Sequence, residues 1–143
     1  MPFAASDAFV GMVAYFAIDD LRDDDALDDR GGSANDEARP FVCYAMDSGD
    51  LYWTPMTTKS TQLARLTLDL AWVVHPPARM LSDGAAVNDG QHTYVGPAER
   101  FAAHSHRCDR YESNAVRPYL KPEGVAAVLA YVKARGGLLP DAL

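Results

Sequence analysis

Arg39-Pro40-Phe41-Val42-Cys43-Tyr44-Ala45-Met46, followed by Asp47-Ser48-Gly49-Asp50 and then Leu51-Tyr52-Trp53-Thr54-Pro55-Met56, is the stretch that decides the fold. Two runs of β-branched and aromatic residues flank a short turn that contains glycine, which is the pattern of a β-hairpin. Pro55 has no N–H to give to a ladder and belongs at a strand end or edge. The hairpin therefore carries Thr57-Thr58-Lys59-Ser60 to its far end, on the same side as Arg39.

Outward from the hairpin, residues 9–17 read as a buried first strand. Residues 19–38 hold acids, Gly31-Gly32, Ser33 and Asn35, with few large apolar side chains to offset the entropy of ordering. They are expected to form a long mobile loop, of the kind that is functional or disordered when set in a small domain. Further strands are expected at 68–74 and 92–95, with turns at Ser82-Asp83-Gly84 and Asn88-Asp89-Gly90. Residues 98–117 suit one short helix and a final strand. Pro122 at a first turn, the spacing of Val125, Val128, Leu129 and Val132, and the stop at Gly136-Gly137 predict a helix over 122–135. The expected fold is mainly β with α: a small curved antiparallel sheet or SH3-like barrel, closed by a C-terminal helix, in one domain over 1–143.

Composition agrees with a single domain. The 143 residues are 48% hydrophobic and 23% charged, enough apolar material for a core without metal or disulfide support. The longest apolar stretch, residues 8–18, falls short of the roughly 20 that a spanning helix requires, and it lacks the flanks of a secretory signal. A cytoplasmic protein with no membrane partner is expected, with Cys43 and Cys108 as reduced thiols. The formal charge of −7 is concentrated: residues 19–38 carry nine acids and two bases, and the rest of the chain is balanced. Residues 97–135 lean the other way, with seven bases (Arg100, Arg107, Arg110, Arg117, Lys121, Lys133, Arg135) against four acids, a surface able to attract phosphates.

The glycines at 31–32, Arg39-Pro40 opening a strand, and the segment Tyr52-Trp53-Thr54-Pro55-Met56-Thr57-Thr58-Lys59 resemble, in order and spacing over residues 11 to 60, the MazF/PemK-like toxin endoribonucleases, including the ToxN-type relatives. The resemblance implies a toxin of a toxin–antitoxin system that cleaves single-stranded RNA without metal or other cofactor. Arg39 and Thr57 stand at the positions linked to cleavage in that family, with Lys59 in place of the usual lysine and Thr58 where serine is common. Thr58, Lys59, Ser60 and Tyr52 would bind substrate. The implied partners are RNA and a cognate antitoxin of protein or RNA, with a second copy of the chain as a homodimer where the antitoxin is a protein. The acidic loop is longer than the family pattern leads one to expect.

The chemistry of these residue types agrees with that role. Attack of a 2′-hydroxyl on phosphorus gathers negative charge on the phosphoryl oxygens, and a guanidinium holds two such oxygens through its planar fork. A threonine hydroxyl and nearby N–H groups at a strand end fix the phosphate in line. No general base is evident. The expected products are a 2′,3′-cyclic phosphate and a 5′-hydroxyl end, as the resemblance implies.

Two other readings compete. On a non-catalytic SH3-like module, the acidic loop would mimic nucleic acid and inhibit a nucleic-acid-binding protein. The sequence His104-Ser105-His106-Arg107-Cys108, if extended, would bring alternate residues to one face and suggest a metal hydrolase. The acidic loop itself is a solubilising insert, an internal gate over a basic site, or a docking segment for a basic partner.

Overall fold

A computed structural model describes residues 3–30, 38–57, 66–74, 85–87, 90–111 and 113–141. The fold is α+β, an antiparallel curved sheet with a C-terminal helix, as the hairpin pattern predicts. The hairpin is β3 (Ala38–Asp47) and β4 (Asp50–Thr57), with Ser48 and Gly49 at positive φ in its turn. β1 (Val13–Ala17) pairs with the outer side of β3, from Val13 with Val42 to Ala17 with Ala38.

β4 is the fork of the sheet. Along Asp50 to Trp53 it pairs with β8 (Thr93–Pro97), which in turn pairs with β2 (Asp28–Arg30). Along Met56 and Thr57 it pairs instead with β7 (Ala86–Val87), which carries β5 (Leu66–Thr67). The last β3–β4 pair is Phe41 with Pro55, at the residue that lacks an N–H. A bulge at Tyr44, between the pairs Cys43–Trp53 and Ala45–Tyr52, adds twist to the other end. Two short strands, β6 (Val73–Val74) and β9 (Tyr119–Leu120), form a separate ladder.

Both faces of the sheet are covered, so the hairpin strands are apolar without alternation to polar residues. One face packs Phe16, Phe41, Leu51, Trp53 and Tyr94 against α1 (Ile18–Arg22) and α2 (Ala98–Cys108). The opposite face packs Val13, Val42, Tyr44, Tyr52 and Met56 against α3 (Pro122–Arg135), through Val128 and Val132. Pro122 starts α3 and Gly136 caps it at φ 82°, the two punctuation marks read from the sequence.

Four expectations need correction. The first strand begins at Val13 rather than residue 9, because the chain bends at Gly11 (φ 99°), where a Cβ would lie 2.5 Å from the Leu120 carbonyl oxygen. The acidic stretch is not a continuous loop: α1 and β2 lie within it, held by Ile18, Leu21 and Leu27, three apolar side chains buried against the α2 side of the sheet. Residues 31–37 of the stretch, Gly31 and Gly32 included, lie outside the described residues. The expected strand at 68–74 is a 3-10 turn at Leu70–Trp72 followed by the two-residue β6, since the Asp69 carboxylate accepts from the Ala71 N–H and caps the turn. Residues 98–117 hold the expected short helix, the eleven-residue α2, but among the described residues the expected strand there is a 3-10 turn at Asn114–Val116.

Trp53 is fully buried, stacked on Phe3 and edge-on to Phe16, but its indole Nε1 has no acceptor among the described residues. A buried donor without a partner costs about 1–3 kcal/mol, so removing it offsets part of the lost ring volume. Trp53→Phe should therefore lower unfolding stability by under about 2 kcal/mol, whereas Trp53→Ala should cost about 3–5 kcal/mol. Urea denaturation of the two variants checks the contrast.

Candidate functional site

Arg39 and Thr57 each stand two residues beyond the last hairpin pair, Phe41 with Pro55, at the same open end of the hairpin. There the strands part: β3 continues along β1, with Arg39 opposite Phe16, while Thr57 pairs with Ala86 of β7. Side-chain alternation puts both on the face shared with Phe41 and Trp53, the face covered by α1 and α2. Arg39 is half-buried and Thr57 is 7% exposed. Thr58, Lys59 and Ser60 lie outside the described residues.

Tyr52 does not offer a free ring. Both faces of β4 are covered, so Tyr52 and Trp53 are buried on opposite sides, and Tyr52 is 9% exposed against Tyr44. The Cys43 thiol is sealed in the sheet, where burial pushes its pKa up to about 12 and removes it as a nucleophile. The metal reading loses its geometric premise, because His104, His106 and Cys108 lie on a helix rather than a strand. Among the described residues no group of three or more His, Cys, Asp or Glu side chains is placed to hold a metal ion.

A second polar constellation joins the acidic stretch to α2. One oxygen of Asp24, Oδ2, accepts from Arg100 Nε at 2.9 Å and lies 2.8 Å from Arg100 Nη2 and 2.7 Å from His104 Nε2. The other, Oδ1, accepts from the Ala26 N–H at 2.9 Å. Burial disfavours the Asp24 carboxylate, with its side chain 5% exposed, but the bonds from His104, Ala26 and Arg100 outweigh burial and hold its pKa below the ordinary 3.8. Arg107 pairs with Asp20 at 3.4 Å. Asp20, Asp24, Arg100, His104 and Arg107, with Asp23 and Asp25, line an open cavity of about 360 Å³.

Because the folded Asp24 pKa is depressed, the unfolded chain binds the proton more readily, and the stabilisation is present above the ordinary value. It is lost as pH falls from about 3.8 through the lower folded value. Asp24→Asn should therefore lower stability at pH 7, and its deficit against the parent should shrink on acidification below pH 4, measured by urea unfolding at several pH values.

Arg117 and Asp109, counted in the sequence among the surface charges, are instead an interior pair. Both side chains are fully buried, with Arg117 Nη2 2.9 Å from Asp109 Oδ2 at an angle that makes an ion pair rather than a hydrogen bond. Arg117 Nη1 donates to the Val13 carbonyl at 2.7 Å, and the Tyr15 N–H donates to Asp109 Oδ1 at 3.1 Å. The two side chains thus satisfy backbone groups on the edge of β1, a task otherwise done by another strand. Only their distance in sequence from β1 concealed this.

No protein-family model matches the chain, and comparison with curated proteins and with solved structures also gave no match. No helix among the described residues is long and apolar enough to cross a membrane.

Proposed function

We propose that the protein is a metal-independent endoribonuclease of the toxin type, acting in the cytoplasm on single-stranded RNA and restrained by an antitoxin. One observation carries the reading: Arg39 and Thr57 share one end and one face of the hairpin, where β3 and β4 part. A guanidinium and a hydroxyl at such a parting can address one phosphodiester from two strands. In this reading Arg39 stabilises the charge that develops on the phosphoryl oxygens, Thr57 orients the phosphate, and Thr58, Lys59 and Ser60 continue the phosphate contacts. Tyr52 supports the hairpin from the opposite core.

The test is incubation of the purified protein with mixed-sequence single-stranded RNA in excess chelator, followed by analysis of the ends. Fragments ending in 2′,3′-cyclic phosphate and 5′-hydroxyl are expected. Intact RNA in chelator, or fragments with 5′-phosphate ends, would refute the mechanism.

The binding-module alternative is favoured by a specific observation, the exposed acids Asp23, Asp25, Asp28 and Asp29 along one short segment. It requires those acids to face a basic partner. Asp20 and Asp24, which turn inward to α2, are not among them.

A further inference from the structure

α2 carries Arg100, His104 and Arg107 at spacings of four and three residues, which form one stripe of a helix. Arg100 and Arg107 remain substantially exposed, their side chains at 47% and 69%, although both contact carboxylates. Those carboxylates come from a single short stretch, Asp20 to Asp24, which leaves β1 directly beside Arg39: Phe16 pairs with Arg39, Ala17 with Ala38, and α1 starts at Ile18. The acidic stretch thus runs from the end of the sheet that holds the candidate cleavage residues to the basic stripe of α2. It also lies on the face to which Arg39 and Thr57 belong.

We propose that the Arg100–His104–Arg107 stripe is a phosphate-binding surface for the RNA strand, and that Asp20 and Asp24 occupy it in the resting protein in place of phosphate. This inference rests on the reading of the protein as an RNA-acting one and adds its regulation. A carboxylate and a phosphate present the same chemistry to a guanidinium, so the Asp20 carboxylate competes directly with one backbone phosphate at Arg107. The two contacts divide the work. Asp24 is the buried anchor, fixed on both oxygens, and its removal loosens the whole segment. Asp20 to Arg107 is a long pair beside an exposed guanidinium, the contact that an incoming strand can replace at low cost.

The decisive experiment measures fluorescence anisotropy of a labelled, mixed-sequence 2′-O-methyl RNA, which binds without being cleaved, across about 50–200 mM salt. Asp20→Asn should tighten binding about two- to fivefold at low salt, the range of one freed surface pair. It should also steepen the slope of log affinity against log salt by about 0.7, the signature of one additional phosphate on a single strand. Arg107→Gln should abolish that gain in the Asp20→Asn background. Asp47→Asn, an equal charge change in the hairpin turn, is the control and should leave the slope unchanged. The proposal is overturned by an unchanged slope in Asp20→Asn, by a gain that survives Arg107→Gln, by an equal gain in Asp47→Asn, or by no RNA binding in any variant. Cleavage of unmodified RNA is read separately. Cleavage by the parent with no Asp20→Asn gain leaves the nuclease reading standing alone, and a gain in binding with no cleavage anywhere refutes the nuclease and retains the masked surface.

Discussion

Arg117→Ala should lower unfolding stability by about 3–5 kcal/mol, a loss large enough to leave a marginally stable domain partly unfolded at room temperature. The arginine is fully buried with Asp109, and its removal strands that carboxylate in the interior without its counter-ion. It also releases the Val13 carbonyl on the edge of β1 and the Asn114 amide oxygen that accepts from Arg117 Nε at 3.0 Å. The rings of Phe3 and Tyr111, which lie 5.6 and 5.3 Å below the guanidinium, lose a cation and gain a void. Arg117→Lys should recover only part of the loss, since one ammonium cannot reach Val13, Asn114 and Asp109 together. The double variant Arg117→Met/Asp109→Asn should be more stable than Arg117→Ala, because no charge is left unpaired and the introduced amide oxygen can still accept from the Tyr15 N–H. Urea unfolding of the four proteins decides it. Equal stability of Arg117→Ala and the parent would show that the pair does not secure the β1 edge.

The parts of the fold legible in the sequence are those governed by neighbours along the chain. The hairpin follows from two apolar runs about Ser48-Gly49, and α3 from its helical spacing between Pro122 and Gly136. The order within residues 19–30 escapes such reading, since Ile18, Leu21 and Leu27 are too sparse for a periodic signal and act only because a sheet face lies beneath them. The same holds for the charges. Arg117 and Arg107 look alike as letters, yet one is sealed against Asp109 and the other faces solvent beside Asp20. Asp24 is one of nine acids in its stretch and the one that gathers Arg100, His104 and Ala26 around it. For the candidate site, sequence supplies that Arg39 and Thr57 flank a hairpin. The parting of the strands beyond Pro55 depends on β1 and β7, whose partners are set by tertiary contact.

Arg39→Ala should reduce RNA cleavage by about 10²–10³-fold, the scale of losing one preorganised donor to developing phosphoryl charge, with folding preserved. The side chain is half-buried near the start of β3, so circular dichroism and thermal unfolding should stay close to the parent. Arg39→Lys separates charge from geometry: the ammonium keeps the positive charge but cannot grip two oxygens, so its rate should fall between those of the parent and Arg39→Ala. Thr57 separates shape from hydroxyl. It is nearly buried, so Thr57→Val fills the same space and should lose about 10–100-fold in rate, while Thr57→Ser keeps the hydroxyl and should stay within a few-fold of the parent. If the two residues grip one phosphate, their effects cannot add, because a phosphate already misplaced by one loss gains nothing from the other partner. The Arg39→Ala/Thr57→Val protein should then be scarcely slower than Arg39→Ala alone. Full additivity would place the two side chains on separate tasks, and parental rates in both single variants would remove the open end of the hairpin as the site of cleavage.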